Sequence, residues 1–168
     1  MTATALWLRI VAGLCAAAGS VLLIPVSIPS HDVSLVTAAL VGCAGGIVLF
    51  TVLARASPGV HRGTWSRRDT TRASFLVLWA TVEELLWRRL ALGGLAPHAG
   101  WLVALVVSSG AFAAVHRWGR ASQLVTGIGF GTVYLATGRL LASIAMHAVY
   151  NLLLDQAQHR PLAAARAP

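Results

Sequence analysis

Thr81-Val82-Glu83-Glu84-Leu85-Leu86-Trp87-Arg88-Arg89 places two acids and two bases inside a stretch that is otherwise apolar from about Ala73 to Leu95. Glu83 and Glu84 are the only glutamates in the 168 residues. A stretch of this length, at 1.5 Å per residue, spans the roughly 30 Å hydrocarbon core of a bilayer as a helix. Each ionisable side chain there costs about 2.5–3.5 kcal/mol on insertion scales. Four of them in one helix need a compensating arrangement. Glu84 and Arg88 are four apart and share a face, so they are expected to pair. Glu83 lies about 100° round the helix from Glu84. Trp87, four on from Glu83, is expected to shield it in a less polar pocket, where a general base is made. An ion-pair staple between helices is the structural alternative, and buried pairs add little stability by themselves.

Outward from this segment, the composition supports a membrane setting. The chain is 57% hydrophobic and 11% charged, against roughly 25% charged in soluble domains. Its net charge of +8 comes from 13 basic residues, all arginine, against 5 acidic ones. The arginines fall mainly between apolar runs, the pattern of cytoplasmic loops and not of a nucleic-acid-binding stripe. A nucleic-acid partner is therefore excluded from the reading. Cys15 and Cys43 both lie in apolar runs and form neither a disulfide framework nor a zinc site. The all-arginine usage and high alanine content suggest a bacterium with a GC-rich genome.

Six apolar segments approach the roughly 20 residues of a spanning helix. They run from about Ala5 to Ile28, Val33 to Ala54, Ala73 to Leu95, Trp101 to His116, Leu124 to Thr137 and Leu140 to Leu154. Ala16-Ala17-Ala18-Gly19-Ser20 resembles a signal-peptide cleavage region, but Arg9 follows apolar residues and makes no clean charged start. Ile28-Pro29-Ser30-His31-Asp32 breaks the first segment from the second, and Arg55 to Arg72 forms a polar loop with five arginines. Gly93-Gly94-Leu95-Ala96-Pro97 reads as an uncharged turn, and Thr137-Gly138-Arg139 as a tight link. The expected fold is all-α: a polytopic membrane helical bundle of about six transmembrane helices without β-sheet. It forms one domain over 1–168, with two spans and an Arg-rich loop in 1–72, a helix core in 73–155 and a loose tail in 156–168. The positive-inside rule puts the Arg55–Arg72 loop in the cytoplasm with Arg9, Arg117, Arg120, Arg160 and Arg166, leaving only Arg139 opposite. Both termini are then cytoplasmic, in a plasma membrane.

Two further helices carry polar pairs spaced by four. Phe112 and His116 share a face of the fourth segment, and His147 and Asn151 a face of the sixth. Glu83 lies roughly 16 Å in from Arg72 and His147 roughly 12 Å from Arg139, both near mid-membrane. His116 is nearer the cytoplasmic end, so a shared cavity opens to that side. Such a set suits attack of water on a carbonyl. Glu83 takes the water's proton, a histidine steers the water or returns the proton, and Asn151 donates to the oxyanion. Ser108 and Ser109 are expected to bond to backbone instead of acting as nucleophiles. Metal dependence stays open on the residues alone.

Glu83-Glu84-Leu85-Leu86-Trp87-Arg88, Phe112-Ala113-Ala114-Val115-His116 and His147-Ala148-Val149-Tyr150-Asn151 resemble the three motifs of the CPBP family. These are intramembrane endopeptidases related to the type II CAAX prenyl protease. The resemblance covers about Phe75 to Leu154. It implies a cytoplasm-facing cavity and glutamate-type peptide-bond hydrolysis without a required metal or other cofactor. By the same resemblance Glu83 is the base, His116 positions the water, and His147 with Asn151 forms the oxyanion site. Glu84, Arg88 and Phe112 support them. The implied partners are a peptide or protein substrate, membrane-tethered ones included, and the lipid bilayer. Eukaryotic members trim prenylated CAAX tails, whereas many bacterial ones are linked to bacteriocin maturation or self-immunity. This chain is shorter than the eukaryotic relatives, which bears on substrate range.

Two other functions compete: a non-catalytic membrane scaffold or bacteriocin-immunity protein, and a haem- or metal-binding membrane protein using the two histidines. The orientation is open to direct measurement. A reporter fused within residues 56–66 is expected to be active only as a cytoplasmic reporter, and an active extracytoplasmic one there overturns the topology.

Overall fold

A computed structural model describes residues 3–23, 26, 29, 31–55, 67–116 and 119–158. Arg62, Arg117, Arg160 and Arg166, most of the Arg-rich loop and the tail beyond Gln158 lie outside the described residues. The described elements are all helical, in the order α1 (Ala3–Leu23), α2 (Leu35–Arg55), α3 (Arg67–Glu84), a π-helical stretch (Leu85–Leu92), α4 (Gly93–Ala99), α5 (Trp101–Val115), α6 (Arg120–Thr137) and α7 (Leu140–Gln158).

The junctions at Glu84, Leu92 and Gly93 all keep right-handed helical dihedrals, so α3, the π stretch and α4 form one continuous rod. The described residues thus make six rods. Two boundaries differ from the sequence expectation. The third rod starts at Arg67, inside the stretch read as loop, and continues through Gly93–Ala99, the stretch read as a turn. Pro97 stands inside α4, and the helix ends two residues later at Ala99. The turn itself comes at Gly100, whose φ of 79° a side chain would strain. Gly138, with φ of 62°, ends α6 at the tight link the sequence indicated.

Close approach through small residues organises the packing. α2 lies along α7 in the most extensive helix pair. A Cβ on Gly42 would run into the Ala142 carbonyl oxygen, and one on Gly46 would sit 2.6 Å from the Met146 carbonyl oxygen. With lipid tails as apolar as the side chains, backbone proximity of this kind is what holds spanning helices together. α6 packs on α7 and in turn on α5, while α1 covers α3 and meets Val82 at Gly13. One core cluster joins Leu92, Ala96, Ala104, Leu105 and Tyr134; another joins Leu49, Phe130, Met146 and Tyr150.

The outer faces are apolar. Leu8, Val36, Leu40, Leu102 and Val106 are all exposed, a distribution that suits lipid contact. By length and composition one described helix, Leu35–Leu53, is long and apolar enough to cross a membrane, and Ile10–Gly19 and Trp101–Val115 are apolar but shorter. At the end opposite Arg67, His31 meets the Leu135 carbonyl at 3.0 Å and Arg139 donates to the Val33 carbonyl at 2.8 Å, clasping the α1–α2 connection to the α6–α7 link.

Gly42→Val is expected to lower Tm in detergent, at a cost of about 1–3 kcal/mol for overpacking. Gly110→Ala, where a Cβ meets nothing within 4 Å, leaves Tm unchanged or slightly raised. Equal Tm for both variants would count against the α2–α7 seam.

Candidate active site

The site grows from the point where α3 gives way to the π stretch. Glu84 is fully buried. Arg88 Nε donates to its Oε2 at 3.0 Å, Ser143 Oγ donates to the same oxygen, and His147 Nδ1 meets Oε1 at 2.8 Å. Arg88 is also fully buried, and its guanidinium carbon lies 5.6 Å from the centre of the Phe112 ring. Nη1 and Nη2 have no hydrogen-bond partner among the described residues, so the aromatic face takes the place of an acceptor. The π stretch follows from this crowding. An i→i+5 ladder, with the Gly93 N–H reaching the Arg88 carbonyl, widens the helix where Arg88 must enter the core.

Glu83 stands differently. It is about one-seventh exposed, with His147 Nε2 3.5 Å from Oε2 and His116 Nε2 4.0 Å from Oε1. Its one contact of hydrogen-bond length among the described residues is the indole of Trp79, whose Nε1 donates to Oε1 at 2.8 Å. Trp87, four residues on, does not cover Glu83 as its spacing suggests. Trp87 instead meets Phe112 edge-on, at 5.9 Å between centroids, and the indole at Glu83 comes from the preceding turn.

The two histidines are set by acceptors. His116 Nδ1 lies 2.7 Å from the Phe112 carbonyl, and His147 Nδ1 lies against the Glu84 carboxylate. Neither partner has a proton to give, so each Nδ1 carries a hydrogen and donates, and each Nε2 is left outside that bond. Both Nε2 atoms face Glu83. Phe130 stacks on the His147 ring at 4.4 Å and 18°, and Phe112 packs against both imidazoles, 4.5 Å from His116 and 6.2 Å from His147. His147 is thereby fixed in tautomer, depth and tilt.

The structure therefore brings together Glu83, Glu84, Arg88, Phe112, His116 and His147. Asn151 lies one turn beyond His147 on α7, half-buried, and makes no side-chain hydrogen bond among the described residues. Ser108 bonds to the Leu105 carbonyl at 3.2 Å as expected, whereas the buried Ser109 hydroxyl has no partner among the described residues. Trp79, Phe130 and Ser143 were missed from sequence. Spacing offered a signal for two of them, since Trp79 precedes Glu83 by four and Ser143 precedes His147 by four. Phe130 has no such mark; it lies in a Gly-rich helix, and only packing delivers it to His147.

Residues 71–153 match the family model described as type II CAAX prenyl endopeptidase, Rce1-like. The chain belongs to that family. The match begins at Thr71, at the end of the stretch read as the Arg-rich loop, and includes every residue of the cluster and Asn151. Members of the family are membrane-embedded CAAX-protease-like proteins, in keeping with the apolar α2 and the lipid-suited outer faces. No curated protein and no solved structure matches the chain.

Arg88→Met is expected to strand the Glu84 carboxylate and cost about 3–5 kcal/mol, read as a lower Tm in detergent. The double variant Glu84→Leu with Arg88→Met recovers part of that loss. A single variant as stable as wild type would show that the pair is not what holds α3 to its surroundings.

Proposed function

We propose that the protein is an intramembrane endopeptidase that hydrolyses a peptide bond with a water activated by Glu83. The observation that carries this reading is the convergence of two Nε2 atoms, from separate helices, on one carboxylate at 3.5 and 4.0 Å. Both distances exceed a direct hydrogen bond, and a water seated beside the three groups can reach the carboxylate and the ring nitrogens. The Glu83 carboxylate takes a proton from that water as its oxygen adds to the substrate carbonyl, and His116 Nε2 accepts the second hydrogen and aims the attack. The oxyanion that forms is met by Asn151, beside the His147 ring that Glu84 holds in place. Collapse breaks the C–N bond, and the proton held by Glu83 passes to the leaving amine.

Glu84, Arg88 and Ser143 act through His147, in the way a buried carboxylate fixes an imidazole in other hydrolytic sites. The arginines beside the cluster's nearer helix ends favour a cavity open to the cytoplasm. The substrate is a peptide or protein, and the family's name makes a membrane-tethered, prenylated chain the first class to try. Both histidines turn their free nitrogen to Glu83, which speaks against a haem held between them. Among the described residues no group of three or more His, Cys, Asp or Glu side chains is placed to hold a metal ion.

The test is hydrolysis of lipid-anchored, fluorescence-quenched peptides, with and without a prenyl group, by purified protein in bilayers. Wild type is expected to cleave, while Glu83→Ala and His147→Ala lose about 10²–10⁴-fold in rate. Cleavage undiminished in both variants would overturn the roles given to Glu83 and His147, and no cleavage by wild type would favour a scaffold or immunity role. In the same assay, exhaustive chelation is expected to leave the rate unchanged; loss restored by a divalent ion would overturn the metal-free mechanism.

A further inference from the structure

Phe75, Trp79 and Glu83 follow one another at intervals of four along α3, so they lie on one face of the helix. The first two rings are parallel, 6.1 Å apart and 6° from coplanar. The indole is thus braced from the turn before it and aims its N–H at the turn after it. That N–H reaches Glu83 Oε1 at 2.8 Å, the only hydrogen-bond-length contact to this carboxylate among the described residues. Glu84, one residue on, is gripped from three sides and has no freedom to act. Among the described residues Glu83 has a single tether.

The chemistry of the tether suits a base. An indole N–H donates and cannot accept, and it does not titrate in the range of protein chemistry. It therefore fixes one carboxylate oxygen without taking part in proton exchange, unlike a histidine, serine or tyrosine at the same place. With Oε1 held, Oε2 is the oxygen turned toward His147 Nε2. The two oxygens are made inequivalent by one hydrogen bond.

We propose that Trp79 is a positioning residue for Glu83: its braced indole N–H pins Oε1 and so directs Oε2 to the water that attacks. The proposal rests on the peptidase reading above. Fixing a reacting group matters because a misplacement of about 1 Å costs on the order of a hundredfold in rate.

The test uses the full-length protein in bilayers, with the lipid-anchored peptide that wild type cleaves. Trp79→3-benzothienylalanine keeps the ring shape and removes the N–H, and is expected to lower kcat about tenfold to a hundredfold with KM changed less than about twofold. Trp79→5-fluorotryptophan, which retains the N–H, restores turnover. A second readout needs no substrate. The indole ¹⁵N–¹H resonance of Trp79, assigned by its loss in Trp79→Phe, is expected to move upfield in Glu83→Ala. An unmoved resonance overturns the hydrogen bond whatever the activity. A moved resonance with full turnover in the benzothienyl variant overturns the positioning role. Absence of hydrolysis by wild type sinks the peptidase reading, and the positioning role with it.

Discussion

A single buried carboxylate organises this bundle. Glu84 has no access to solvent and takes hydrogen bonds from Arg88 on its own rod and from Ser143 and His147 on α7. An unpaired charge at that depth would cost several kcal/mol, so its donors must be present and correctly aimed. Meeting that demand locks α3 to α7 in register and rotation. It also forces Arg88 inward, where the Phe112 face receives the guanidinium and the helix widens into its π stretch.

The surroundings of Glu83 are consequences of that lock. Once His147 is tied to Glu84 through Nδ1, its Nε2 can only face the neighbouring Glu83. The Phe130 ring lying flat on the imidazole prevents it from turning. α5 then delivers His116 from the other side, its tautomer set by its own helix through the Phe112 carbonyl. Adjacent residues of one type thus end in opposite conditions: Glu84 bonded to three donors, Glu83 held by an indole and flanked by two imidazoles. The proposed division of labour, support against reaction, follows from this contrast.

Much of it was legible in the sequence because helical spacing is a strong constraint. Glu84 and Arg88, Phe112 and His116, each four apart, could only share a face, and the structure places each pair together. The same rule applied to Trp87 misassigned the neighbour of Glu83, since spacing of four runs in both directions and Trp79 fits it equally well. Helix ends were less legible. Gly93, Gly94 and Pro97 look like a turn, yet they continue a rod whose neighbours pack against it, and Arg67 to Arg72 are helical despite their charge.

By itself the sequence determined the helical class, the positions of the rods and the face on which each polar side chain stands, because apolar runs and a 3.6-residue period leave few alternatives. The tertiary structure alone decided which faces meet. That Ser143 joins Glu84, that Phe130 covers His147, and that the two histidines turn Nε2 toward Glu83 depend on helix crossings set by Gly42 and Gly46 against α7 and by acceptors on other residues. Along the chain the spacing to Arg88 is what sets Glu84 apart from Glu83. Only the packing of α7 against them leaves one carboxylate fully bonded and the other open.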